Sequence, residues 1–235
     1  MTAQHQVAIL ASLAEVDDLR RRRAADRSFD ARLQALKRFQ HDRFERTYSD
    51  LQTRADQALA ARFFLDELYG PHDFSDRDAQ FARIVPALVR LFPTEVVHTV
   101  QVLAELHALS ERLDAAMCMH LPDVSFGIEA YIAAWRLVGE PPRRHQQIEL
   151  MVQVGRSLIR FTRNPLLRQS LRLMRGPARA AGLATLQQFL ERGFDTFRGL
   201  ARPDDFLELI AGREHEIVAW LFGHPDACES VAAWF

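Results

Sequence analysis

"TEVVHTVQVLAELHALSERLDAAM", residues 94–117, places Thr99, Val102, Leu103, Leu106, Leu109, Leu113 and Met117 on one face. That recurrence every three or four residues is the period of an α-helix, and nothing in the stretch alternates as a strand would. Thr94, directly after Pro93, is read as its N-cap.

The same period continues in both directions. Upstream, Leu33, Leu36, Gln40, Phe44, Tyr48, Leu51, Ala55, Ala58 and Leu59 follow one stripe, as one helix to Tyr69 or as two with a break near Ser49. Residues 1–28 are weaker, with the charge run Arg20–Arg23, and read as a weakly ordered segment ahead of the domain at 29–235. Downstream, a helix begins at Ser125 and ends at Gly139, and the next follows Pro141–Pro142 with Ile148, Met151, Val152, Gly155, Leu158, Ile159 and Thr162 inward. Asn164–Pro165 and Gly176–Pro177 are read as breaks. Leu183, Leu186, Leu190, Gly193, Phe194 and Phe197 then share a face, and Pro203–Asp204–Asp205 opens a last long helix that Gly223 closes. The expected architecture is all-α, a single compact multi-helix domain of about eight helices.

Composition narrows the class. With 235 residues, 48% of them hydrophobic, one sizeable core is affordable. A net charge of -1 favours no nucleic-acid partner, and no apolar run approaches the ~18 residues of a membrane span. Two distant cysteines, Cys118 and Cys228, fit a reduced, cytoplasmic protein. There is no G-x-S-x-G elbow, no P-loop, no G-x-G-x-x-G and no C-x-x-C-H. Cys118, at a helix end, is read as inert.

"RFFLDELYGPHDFSDRDAQF" (residues 62–81) resembles chemistry more than any other stretch. Capping accounts for most of it. Gly70 and Pro71 end a helix, Ser75 starts the next by accepting from the Asp78 amide, and Asp76 and Asp78 complement the helix dipole. Asp66, Glu67, Tyr69 and His72 remain as a candidate cluster.

Metal chemistry has scattered candidates. Glu95 and His98 have the Glu-x-x-His spacing of di-iron bundles, but without the second copy such a site needs. His41 with Glu45 and His145 with Glu149 are four apart, the spacing also of a solvated helix pair. His107 and Asp114 border the core stripe, with Glu105 on the same helix, and a lone His107 could hold haem iron.

Charge is unevenly placed. Arg143 to Arg202 holds 12 Arg against Glu149, Glu191 and Asp195, whereas residues 203–235 hold one Arg against seven acids. Arg156, Arg160 and Arg163 recur at helical spacing, as do Arg168, Arg172, Arg175 and Arg179. The second stripe is the candidate anion- or partner-binding surface, set against pairing with the acidic last helix.

The stretches "RFFLDELYGPHDFSDRD", "LMRGPARAAGLATLQQFLERGF" and "FLELIAGRE" resemble, in that order, a bacterial family of uncharacterised all-helical proteins, over roughly Phe39 to Phe222. The resemblance implies an all-helical fold and a bacterial cytoplasmic protein, and brings no activity, cofactor or catalytic residue.

The expected function is a non-enzymatic binding or regulatory protein, with a small anionic ligand or a protein as partner and no cofactor. The alternative is a metal- or haem-dependent helical-bundle enzyme using Glu95, His98 and His107, with iron or haem. A homo-oligomer is served by the small residues Ala180, Ala181, Gly182 and Ala184. Charged and histidine-bearing positions are read mainly as solvated faces and caps.

Overall fold

The computed structural model describes residues 2–63, 65–66, 75–223 and 229–235. Twelve α-helices follow in order: α1 Thr2–Ala24, α2 Arg27–Thr47, α3 Ser49–Thr53, α4 Ala58–Phe63, α5 Ser75–Leu91, α6 Thr94–His120, α7 Ile128–Val138, α8 Pro141–Thr162, α9 Pro165–Leu173, α10 Arg175–Ala180, α11 Ala184–Arg198 and α12 Pro203–Leu221. A 3₁₀ turn over Glu229–Trp234 follows. No strand occurs among the described residues. The fold class is all-α, with more helices than the eight expected.

The extra elements have local causes. The long pattern after Phe29 breaks at Tyr48 into α2, α3 and α4, so Ala55 and Leu59 point outward while Ala60, Ala61 and Phe63 are buried. Gly176–Pro177 does not break a helix but lies inside α10. The helix after Pro165 ends two residues earlier, at Met174, and a second break falls at Gly182, whose φ of 70° only glycine adopts without strain. α7 starts at Ile128 with Gly127 as its N-cap, while Ser125 closes a turn on Asp123. Thr94 is the first residue of α6, behind Pro93, and makes no capping bond from its side chain.

α6, 27 residues long, is the axis of the structure. Val102, Leu106, Leu109, Leu113 and Met117 face the main core, built with α2, α7, α8 and α12. Val97 and Ala104 lie on the opposite face, in a second core with Ile9 of α1 and Val85, Leu88 and Val89 of α5. The second face exists because the first 28 residues hold a 23-residue helix, with Ile9 and Val16 buried, where a weakly ordered segment was expected.

Two close approaches lock this frame. A Cβ added at Gly155 of α8 would sit 2.6 Å from Cδ2 of Leu207 on α12, so glycine lets the two helices meet. Between α7 and α8, Gly139 at φ 65° and Glu140 at φ 57° reverse the chain, and Pro141 opens α8, where its missing N–H costs nothing. Cys118 is buried, and burial pushes its thiol up, as expected of an inert cysteine. Cys228 lies outside the described residues, as do Glu67, Tyr69, Gly70, Pro71 and His72. No described helix is long and apolar enough to cross a membrane.

Candidate functional site

A helix with two opposite apolar faces has two flanks left, and on one of them α6 carries His107, Ser110, Glu111 and Asp114. Their spacing of i, i+3, i+4 and i+7 aligns them along one side. All four line a cavity of about 210 Å³ between the two cores. Lys37, Gln40 and Arg43 of α2 join them, with Arg77 and Asp78 of α5, Tyr131 and Trp135 of α7, Arg144 of α8 and Glu214 of α12. The expectation that charged positions mainly finish and solubilise helices therefore fails on this flank, because carboxylates, an imidazole and four cations line one hollow.

Most of these charges are matched. Nζ of Lys37 meets Glu111 at 2.5 Å. Burial alone would raise the Glu111 carboxyl, but the charge and hydrogen bond of Lys37 outweigh it and hold the group low. Nη1 of Arg43 donates to Oε1 of Glu214 at 2.6 Å, and the Tyr48 hydroxyl donates to the same oxygen at 2.7 Å. Burial works against the Arg43 cation, yet Glu214 more than compensates and its pKa is raised. Asp78 takes Nη2 of Arg20 at 2.7 Å, Nε2 of His107 at 2.9 Å and Nε of Arg77 at 3.3 Å. Burial pushes that carboxyl up, but the bond and charge of His107, with Arg77 and Arg20, drive it far below the usual range. Asp78 thus joins helices around the cavity, beyond the dipole role read from its position.

Two groups are unmatched. Arg144 is 3% exposed, and its Nε and Nη2 have no hydrogen-bond partner. Its Cζ lies 3.7 Å from the centroid of the Trp135 ring, and no ion pair reaches it among the described residues. Burial lowers its pKa, opposed by the charges of Tyr131 and Asp114. Among the described residues, Asp114 has only the neutral amide of Gln40 on it, Nε2 to Oδ1 at 2.9 Å. Burial raises the Asp114 carboxyl, offset in part by the charge of Lys37 and that bond. The cavity therefore holds one guanidinium without an ion pair among the described residues, near a carboxyl that burial raises.

The other candidates lie apart. Glu95 and His98 are exposed, and His98 Nε2 is 3.1 Å from Gln153 Nε2. His107 lies nine residues further along α6, about 13 Å by helical rise, so the three residues of the metal or haem alternative do not converge. His41, Asp42 and Glu45 do lie within 4.8 Å of one another, as a surface cluster. His145 bonds the Pro141 carbonyl and stands 5.4 Å, ring to ring, from His215 instead of engaging Glu149. Asp66 is exposed.

In the Arg stripe, Arg168 pairs with Asp195 at 2.8 Å, and Arg175 grips both oxygens of Glu191 at 2.6 Å each. Those acids belong to α11, not to the last helix. Arg172 and Arg179 are exposed and form no ion pair among the described residues. Ala180, Ala181 and Ala184 are exposed at the break between α10 and α11.

Arg144, Glu111, Lys37 and Glu214 escaped the sequence reading. The usable signal was a polar line at helical spacing on a helix already apolar on two other sides, of which only His107 and Asp114 were singled out.

No curated protein and no solved structure matches the chain. The family resemblance of the three quoted stretches agrees with the result that does emerge: the chain belongs to the family described as a domain of unknown function (DUF8198), which it matches over residues 19–227.

Proposed function

We propose that this protein binds a small anionic molecule in the cavity along α6, with Arg144 as the residue that holds the anion. The single observation behind this reading is a buried, unpaired guanidinium lining an internal space where the other cations already face carboxylates. An unmatched buried cation is costly to the free protein, and an anionic ligand relieves that cost. A non-enzymatic role is favoured because no activated nucleophile lines the space. The Ser110 hydroxyl accepts from Gln147 Nε2 at 2.7 Å, and Cys118 is not among the lining residues. Calorimetric titration with acetate and with inorganic phosphate, on wild type and Arg144→Met, tests the reading. Saturable binding of at least one anion, abolished by the substitution, is expected. Binding that ignores Arg144, or none at all, removes it.

A second reading rests on a separate observation. Between Leu150 and Leu190 the chain carries seven Arg and no Asp or Glu. Here the stripe Arg168, Arg172, Arg175 and Arg179 takes an anionic or protein partner, with Arg172 and Arg179 as the available contacts and Arg168 and Arg175 held by Asp195 and Glu191. Replacing Arg172 and Arg179 by Glu should lower the salt needed for elution from immobilised heparin with helicity unchanged. Unaltered elution retires the surface.

A further inference from the structure

We infer that the molecule held in the cavity is a monocarboxylate with a compact apolar body, the size of one aromatic ring or a short alkyl chain. This rests on the anion-binding reading above and adds the ligand class.

Size comes first. A dry cavity of about 150 Å³ holds benzene, so about 210 Å³ has room for such a ring with one small acidic group. It is below the roughly 300–1,000 Å³ of pockets that take drug-sized or cofactor-sized molecules. A nucleotide is too large to lie wholly within it.

The walls come second. Phe81, Val100, Leu103, Leu186, Phe189 and Leu190 line the same space as the charged groups. An inorganic anion would leave those six side chains facing water or nothing. A ligand with an apolar body removes them from water while its head meets the guanidinium.

Charge decides the head group. Lys37, Arg43 and Arg77 already pair with Glu111, Glu214 and Asp78, so Arg144 is the lining cation without an ion pair among the described residues. A phosphate monoester would bring nearly two negative charges beside Asp114 and Glu111, with a single free cation to receive them. A carboxylate brings one. Its two oxygens also match the arginine fork, in which parallel N–H groups donate side by side. The molecule contains that match elsewhere: Nε and Nη2 of Arg175 donate to the two oxygens of Glu191. Burial raises the Asp114 carboxyl, which lessens its opposition to a single incoming carboxylate.

A homologous series supplies the test. Acetate, butyrate and hexanoate are titrated calorimetrically into the full chain, beside benzoate, benzyl alcohol and inorganic phosphate. Each added methylene should tighten binding about fourfold, the factor that ~0.8 kcal/mol per buried methylene implies, until the space is full. Benzoate should bind at least tenfold tighter than acetate, and benzyl alcohol, which lacks the charge, should not bind. Arg144→Met should abolish binding of every acid. Ala104→Leu, which narrows the apolar wall, should weaken hexanoate and benzoate while sparing acetate, so the apolar half is tested without touching the head site. A flat acid series, or phosphate binding tighter than benzoate through Arg144, overturns the ligand class and leaves the anion site standing. Loss of all Arg144-dependent binding overturns both.

Discussion

The guanidinium of Arg144 lies against the Trp135 ring, Cζ to centroid 3.7 Å, and forms no ion pair among the described residues. Aromatic contact offsets only part of what a cation loses on leaving water. Cation–π attraction amounts to about 0.5–2 kcal/mol, against several kcal/mol for an unpaired buried charge.

This imbalance makes Arg144→Met a discriminating substitution. Met fills similar volume without charge, so the free protein should gain about 1–2 kcal/mol in urea denaturation. Loss of more than about 1 kcal/mol would show the guanidinium to be a structural member. Stability gained together with ligand lost is the signature of a residue kept for binding.

Asp78 should behave in the opposite way. It accepts from Arg20 and Arg77 and bonds His107, so Asp78→Asn strips a charge from a mostly buried cluster. The expected loss near neutral pH is about 2–3 kcal/mol. Its carboxyl is depressed in the folded state, so its contribution is present above the unfolded value near 4 and fades as pH falls below that. Denaturation curves of wild type and Asp78→Asn should therefore converge as the solution is acidified. A constant gap across pH would mean that the loss is packing, not charge.

For Asp114 the sign reverses. Burial raises its folded carboxyl, so between the unfolded value near 4 and the folded one only the unfolded chain releases the proton, and stability falls as pH rises. Lys37, Glu111, Tyr131 and Arg144 act on it electrostatically, His107 lines the same cavity, and Gln40 is its hydrogen-bond partner among the described residues. Asp114→Asn should match wild type in mild acid and be more stable at neutral pH, by on the order of 1 kcal/mol, as for a buried polar group short of partners. A destabilised Asp114→Asn at neutral pH contradicts the assignment.

Gly155→Ala tests the frame instead of the site. The new Cβ would come 2.6 Å from Cδ2 of Leu207, which is 2% exposed and has little room to move. Overpacking of about 1–3 kcal/mol exceeds the roughly 1 kcal/mol that alanine gains in helix propensity. A net loss of about 1 kcal/mol is expected by thermal or urea unfolding, and a stabilised variant would mean that α8 and α12 are less tightly held.

The helices were legible because their cause is local. Residues 94–117 repeat apolar positions at the helical period, Pro141 sits where a first turn tolerates it, and Gly139 and Gly223 carry positive φ where helices end. Such signals need only a few neighbouring residues. The break expected near Ser49 falls at Tyr48, whereas the one at Gly182 was not placed, since a lone glycine does not say which side of it the helix ends.

The site could not be read that way. Arg43 and Glu214 are 171 residues apart, Lys37 and Glu111 are 74 apart, and nothing in either neighbourhood names the partner. Along the chain, Asp78 is a first-turn acid, Glu111 a helix glutamate and Arg144 one of many arginines. Helical period decides which side of a cylinder a residue occupies, and so the sequence by itself determined an all-helical chain and its apolar faces. Which flanks then meet, whether a charge finds its opposite there, and that Arg144 finds none, were decided only when α2, α5, α7, α8 and α12 closed around α6, because pairing and desolvation are properties of distance in space.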